Sequence, residues 1–294
     1  MKILLLGKNG QVGWELQRAL APLGELISLD RKGENGLSGD LSNLVELEKT
    51  VLAIKPDVIV NAAAYTAVDK AESEQDLAKI INTDAPELLA KLCKKLNALL
   101  VHYSTDYVFN GSGQAPWLEE QEIAPLSVYG STKAAGELAI QKSACEYLIF
   151  RTSWVFASKG NNFAKTMLRL ATDRDTLNVI SDQIGAPTSA ELIADITAQA
   201  IPQVLASKAN SGVYHLVASG ETSWHEYASY VIHTAREMGR ALQVSQINPI
   251  PTSEYSTPAQ RPLNSRLNCA KLRNSFDLHL PDWKIGVKRM LQEI

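Results

Sequence analysis

The sequence predicts an α/β fold: a doubly wound parallel sheet with a smaller, partly interwoven C-terminal unit. Three observations carry the prediction. Short, nearly continuous Val/Ile/Leu runs alternate with longer amphipathic stretches over the first half, the pattern of strand–helix units around a sheet covered on both faces. Each run ends in small or polar residues, where open α/β sheets place their ligands. After about Arg151 the alternation loosens and Pro- and Gly-containing loops separate the helical stretches.

In chain order, strands are expected at Lys2–Leu6, Glu25–Asp30, Asp57–Asn61, Ala98–Tyr103 and Glu146–Arg151. Helices are expected between them near Gln11–Ala21, Asn43–Ile54, Asp84–Leu96 and Val128–Lys142, with Asn43 and Glu46 spaced as a capping pair. Later helical patterns lie near Asn162–Leu170, Ala190–Leu205 and Trp224–Met238. Gly212–Val217 reads as a strand returning to the first sheet, and Asn248 to Asn268, with four prolines, as a long ordered loop. The expected division is a nucleotide-binding domain over 1–151 and a substrate domain over 152–294.

The chain has 294 residues, 45% of them hydrophobic and 21% charged, enough to bury a sizeable core. The formal net charge of −3 argues against broad electrostatic capture of nucleic acid or an anionic membrane. No apolar run approaches the roughly 20 residues that span a bilayer, and the N-terminus lacks a signal-peptide pattern. Cys93, Cys145 and Cys269 are odd in number and far apart, so they read as reduced thiols of a cytoplasmic protein. The five histidines show no HxxxH spacing and there is no GxSxG, which leaves zinc catalysis and serine hydrolysis without a motif.

Leu4-Leu5-Leu6-Gly7-Lys8-Asn9-Gly10-Gln11-Val12-Gly13 reads as a strand, a glycine turn and a helix start. Glycine permits the tight turn and lets backbone N–H groups approach a pyrophosphate at a helix N-terminus. The spacing is GxxGxxG, so a Rossmann-type dinucleotide fingerprint is met only approximately. Asp30 follows about 20 residues later, placed for an adenosine ribose hydroxyl. Arg31 beside it would tolerate a 2′-phosphate, so NADH and NADPH both stay open. Asp40-Leu41 fits a segment bordering the adenine, and the small residues Asn61-Ala62-Ala63-Ala64 fit a strand end lying against the cofactor.

Tyr129-Gly130-Ser131-Thr132-Lys133 is a YxxxK on an expected helix. Positions i and i+4 share a helix face, so phenol and ammonium can converge. A phenol ordinarily ionises at about pH 10, and a nearby cation favours its phenolate and tunes it for proton exchange with a carbonyl. An isolated YxxxK is usually a surface pair. This one follows a strand ending Tyr103-Ser104-Thr105, whose threonine hydroxyl would sit beside the phenol.

Together, the glycine turn, Thr105 and Tyr129/Lys133 resemble the extended short-chain dehydrogenase/reductases. The segments HYSTDYVF, VYGSTKAAGE, FRTSWVF, GNNFAKTML and DQIGAPT are similar to the branch of that family acting on a dTDP-4-keto-sugar, and the resemblance runs over practically the whole chain. It implies reduction of dTDP-4-dehydro-β-L-rhamnose by NADPH or NADH, with Tyr129 as the acid, Lys133 on the nicotinamide ribose and Thr105 on the ketone. Thr105, Asp106 and Trp154 would contact the sugar nucleotide. Gly10, Gln11, Val12, Asp30, Asp40, Leu41, Ala64, Tyr65, Thr66 and Tyr103 would line the cofactor. Arg261 and Arg266 sit in a late loop where such enzymes clamp a diphosphate. The resemblance further implies a homodimer with magnesium held by Glu15, Glu191 and Glu293, although nothing in their spacing marks a metal site. Two readings stay open beside it: an epimerase or dehydratase on another nucleotide sugar, and a non-catalytic NADP-binding regulatory subunit.

Overall fold

The computed structural model describes residues 1–294. The first half supplies strands β1 (Lys2–Leu6), β2 (Glu25–Leu29), β3 (Val58–Asn61), β4 (Leu99–Thr105) and β5 (Glu146–Thr152). Between them run helices α1 (Gln11–Leu20), α2 (Leu44–Ile54), α3 (Val68–Ala71), α4 (Gln75–Lys79), α5 (Ala85–Leu96) and α6 (Val128–Lys142). The Asn43 side chain accepts from the Glu46 amide at 3.2 Å and caps α2. The sequence pattern assigns no element between Asn61 and Asp84. That stretch holds α3, α4 and a π-helical turn at Ile80–Asp84, pieces too short for helical periodicity to register.

The second half contains β6 (Val155–Phe156), α7 (Phe163–Asp173), β7 (Thr176–Ile180), β8 (Ile184–Gly185), β9 (Thr188–Ser189) and α8 (Ala190–Ala206). After these come β10 (Gly212–His215), β11 (Thr222–Ser223), α9 (Trp224–Glu237), β12 (Gln246–Ile250), α10 (Ala270–Phe276) and α11 (Trp283–Glu293). The main sheet has the order β10-β5-β4-β3-β1-β2, all neighbours parallel. The chain steps from β1 to β2 on one side, then to β3 on the other. That reversal opens a ligand crevice at the C-terminal strand ends.

Side-chain alternation explains the two cores. Ile3, Leu5, Val58, Val60, Leu99 and Val101 face one way, onto α1, α8 and α10; Leu4, Leu6, Ile59, Leu100 and Ile149 face the other, onto α2, α5 and α6. Both faces are buried, so the strands read as continuous apolar runs. The second half thus lends the sheet more than the returning strand β10. Ile193, Ile196, Ile201 and Val204 of α8 pack on the same core as Leu16 and Leu20 of α1. A separate cluster forms from Leu168, Tyr227, Val231, Trp283, Val287 and Met290 of α7, α9 and α11.

One expectation is corrected here. Asn248 to Asn268 is not loop throughout, because β12 pairs in parallel with β7, Pro249 lying opposite Val179. A strand with one neighbour tolerates proline, which has no ladder N–H to give. Cys93, Cys145 and Cys269 are free thiols, the first two buried. No helix is long and apolar enough to cross a membrane.

Candidate active site

The cofactor end is built at the switch between β1 and β3. Gly7 has φ +91° and lies so close to β3's continuation that a Cβ would meet the Ala63 nitrogen at 2.8 Å. A Cβ on Gly13 would meet the Gly7 carbonyl at 2.0 Å, so α1 can start against the turn only with glycine there. Gly10 is the N-cap of α1, with no side-chain cap and no acid in the first turn. The first amides of α1, from Gln11 and Val12 onward, are therefore left for an anion. A tight glycine turn ahead of unpartnered helix-end amides fits a dinucleotide pyrophosphate. The Gln11 carboxamide oxygen accepts from Asn162 at 3.1 Å, tying the turn to the second half of the chain.

Asp30, just past β2, accepts from the Asn9 side chain and the Lys32 amide. Asp40 accepts from the Ser42 amide and hydroxyl, and Leu41 is buried beneath it. Ala64 is half-buried and Thr66 exposed. Tyr65 is held through its backbone: its amide donates to Asn82 Oδ1 at 2.9 Å and its carbonyl accepts from Asn82 Nδ2 at 3.1 Å. Asn82, in the π-helical turn, also reaches Thr132 on α6 at 3.3 Å. It clamps the β3 loop to the helix of the YxxxK. No sequence motif had marked it. The Tyr103 hydroxyl is paired with Thr197 of α8 at 2.8 Å.

Tyr129 and Lys133 lie along one face of α6, capped by Ser127 through the Gly130 amide. Lys133 is 1% exposed and donates to the Tyr103 carbonyl at 2.6 Å, and its Nζ lies 3.0 Å from His102 Nε2. Burial pushes its ammonium down to about 8, with Glu137 acting the other way. Burial pushes the Tyr129 phenol up to about 12, the Thr105 hydroxyl beside it offsetting part of the rise. The Tyr129 ring stands edge-on to Tyr107, centroids 5.5 Å apart. Thr105, at the end of β4, donates to Asp106 Oδ1 at 3.1 Å. Asp106 is 2% exposed and its Oδ2 has no partner. Burial raises its carboxyl to about 6, with Ser265 and Thr105 acting the other way. Asp106 Oδ2 is thus a buried acceptor without its usual partner, in the residue that follows Thr105.

Trp154 has φ +49°, rare for a bulky residue. It is pinned by stacking on Trp224, centroids 3.7 Å apart, while Trp224 donates to Gln183 at 3.0 Å. Arg261 is held at 2.8 Å by Asp69 of α3. Arg266 instead pairs with Glu221 and lines a cleft of about 240 Å³ with Arg273 and Cys269.

The three glutamates do not make a cation site within one chain. Glu191 and Glu293 share Arg289 at 3.1 and 3.5 Å, and Glu15 lies 3.5 Å from Arg18. Guanidinium groups supply the positive charge there, so no chemical step is drawn through a metal.

The sequence matches the family model described as RmlD substrate binding domain over residues 1–294. The dTDP-4-dehydrorhamnose reductase of Escherichia coli strain K12 is 58% identical over 294 residues, covering 100% of this chain and 98% of the relative. The chain belongs to the dTDP-4-dehydrorhamnose reductase family. Among solved structures, the reductase from Clostridium acetobutylicum superposes with a TM-score of 0.88 at 36% identity, covering 100% of this chain and 99% of that one. The Bacillus anthracis reductase, solved in complex with NADP, gives a TM-score of 0.88 at 35% identity, covering 100% of each chain. These family members share the six-stranded parallel fold described above.

Proposed function

We propose that the protein reduces the 4-keto group of dTDP-4-dehydro-β-L-rhamnose to dTDP-β-L-rhamnose in the cytoplasm, the last step of dTDP-L-rhamnose synthesis for cell-surface polysaccharide. The observation that carries the reading is Tyr129 and Lys133 on one face of α6 against Thr105, within a chain 58% identical to a reductase named for this reaction. Residues 1–151, with the strand near 212–217, would serve the cofactor, and 152–294 the sugar nucleotide.

NADPH or NADH supplies hydride when bound. The glycine turn and the first amides of α1 would hold its pyrophosphate, Asp30 a ribose hydroxyl, and Lys133 the nicotinamide ribose. Tyr129, its phenol pushed up to about 12, keeps its proton through the neutral range. It delivers that proton to O4 as negative charge builds there. Thr105 hydrogen-bonds the ketone oxygen. Asp106 and Trp154 position the hexose, and Arg261 exchanges Asp69 for the diphosphate, which suits a guanidinium fork.

With dTDP-4-dehydro-L-rhamnose, reduced cofactor should disappear one-for-one with ketone, NADH and NADPH being assayed separately. An epimerase or dehydratase would need no net reductant, and a regulatory subunit would turn over none of several keto sugars; either result contradicts the proposal. The positive charge of Lys133 favours the tyrosinate left after proton transfer, and that charge is lost as pH rises through about 8. The pH profile of kcat/KM should therefore fall above about pH 8, whereas a profile level up to the ordinary lysine range contradicts this role.

The proposal includes a homodimer. Supporting it, α1 and α11, which carry Glu15 and Glu293, also leave Trp14 and Ile285 47% and 62% exposed. Magnesium at this face would need carboxylates from two copies. Sedimentation with and without EDTA separates the cases: a dimer that dissociates on chelation supports a metal bridge, and an unchanged dimer supports direct contact. A monomer under both conditions contradicts the dimer.

A further inference from the structure

We infer that the hydrogen-bonded chain Ala63–Asn61–His102 sets the protonation state of Lys133, with His102 as a positioning residue that presents an N–H to the amine. The inference rests on Lys133 belonging to the active site proposed above, but its test requires no turnover.

Asn61, His102 and Lys133 are each 1% exposed, so water cannot repair a mismatched contact. The Ala63 amide lies 3.2 Å from Asn61 Oδ1, and Asn61 Nδ2 lies 3.2 Å from His102 Nδ1. His102 Nε2 in turn lies 3.0 Å from Lys133 Nζ. A backbone N–H can only donate. It therefore fixes the carboxamide, with oxygen toward Ala63 and nitrogen toward the ring. Asn61 then donates to Nδ1, which must be the bare nitrogen, and the ring proton sits on Nε2. That N–H points at Lys133.

An ammonium has donors only, so a charged Lys133 would set N–H against N–H. Turning the imidazole tautomer moves the clash to Asn61, and turning the carboxamide moves it to Ala63. The chain always contains one donor–donor contact while Lys133 is charged. The neutral amine removes it: Lys133 accepts from His102 Nε2 and still donates to the Tyr103 carbonyl at 2.6 Å.

The neighbouring charges do not restore the balance. Glu137, one turn further along α6, favours the ammonium, but its carboxylate accepts three hydrogen bonds from Arg151 of β5. Tyr129 is neutral, and Asp106 acts on Tyr129 from the turn after β4. Burial pushes His102 well below its ordinary range as well, so the ring takes no second proton. The result is a lysine that changes charge well below the ordinary lysine range, at about 8, in place of a fixed cation.

The test is NMR on the ligand-free protein, with ¹⁵N-labelled histidine and ¹³C-labelled lysine, the Lys133 signal identified by its loss in Lys133→Met. The expected result is His102 protonated at Nε2 and a Lys133 proton affinity at least about tenfold below that of the surface lysines. In Asn61→Asp the carboxylate accepts from both Ala63 and His102 Nδ1–H, so the ring proton should move to Nδ1 and Lys133 should hold its proton to higher pH. An Nδ1–H tautomer in the wild type, a Lys133 that titrates with the surface lysines, or an Asn61→Asp protein unchanged in both signals overturns the inference. If Asn61→Asp does not fold, the wild-type tautomer and titration decide alone. Failure of the enzyme to reduce any keto sugar would leave these signals as they are, so the two failures are distinguishable.

Discussion

Tyr129→Phe is expected to lower kcat for ketone reduction by about 10²- to 10⁴-fold, the range for losing a positioned general acid, while cofactor affinity stays within about twofold. The substitution keeps the ring and its edge-on packing against Tyr107 and removes only the hydroxyl. Burial holds that phenol up at about 12, which keeps it protonated through the neutral range and so available to an oxygen that gains negative charge as hydride arrives at its carbon. Lys133→Met should differ in kind, losing both cofactor affinity and turnover, because on the proposed mechanism its donor would serve the ribose and its charge the tyrosinate. The two variants are compared by single-turnover kinetics and by cofactor titration on the same preparations. A Phe variant with wild-type turnover would remove Tyr129 from the mechanism.

The largest stability loss is expected at Arg151. Arg151 and Glu137 are 2% and 0% exposed, joined by hydrogen bonds of 2.7 to 3.1 Å, and Arg151 also donates to the Glu119 carbonyl. Arg151→Met would strand a buried carboxylate on the inner face of α6, at a cost of about 3–5 kcal/mol. The double variant Arg151→Met/Glu137→Leu should recover most of that loss, since replacing both members of a buried pair with apolar groups is often nearly neutral. Denaturant unfolding of both variants checks this. A single variant within about 1 kcal/mol of wild type would mean that water reaches Glu137 and that the pair does not anchor α6.

How legible each part was in the sequence follows from the range of the interactions that make it. The five opening strands stand out because both sheet faces are covered, which leaves an unbroken apolar run in the sequence itself. The glycine turn and the Tyr129–Lys133 pair are local too, each fixed by spacing within one turn or one helix face. Arg151 and Glu137, or Asn61, His102 and Lys133, meet only when β3, β4, β5 and α6 are brought together. Read singly, each is an ordinary polar residue in an apolar neighbourhood. Pro249 misleads for a different reason: proline marks loops, yet β12 has a single partner strand and no ladder N–H to lose there. The destination of α8 was equally hidden, because its apolar stripe shows that it packs without showing that α1 receives it.

The central claim is that hydride passes to the hexose and is not returned. Reduced cofactor carrying deuterium at nicotinamide C4, on the face from which transfer occurs, tests it directly with dTDP-4-dehydro-L-rhamnose as acceptor. The account predicts one deuterium at C4 of the product hexose for each cofactor oxidised. Product without deuterium, or sugar turnover with no net oxidation of the cofactor, would contradict it.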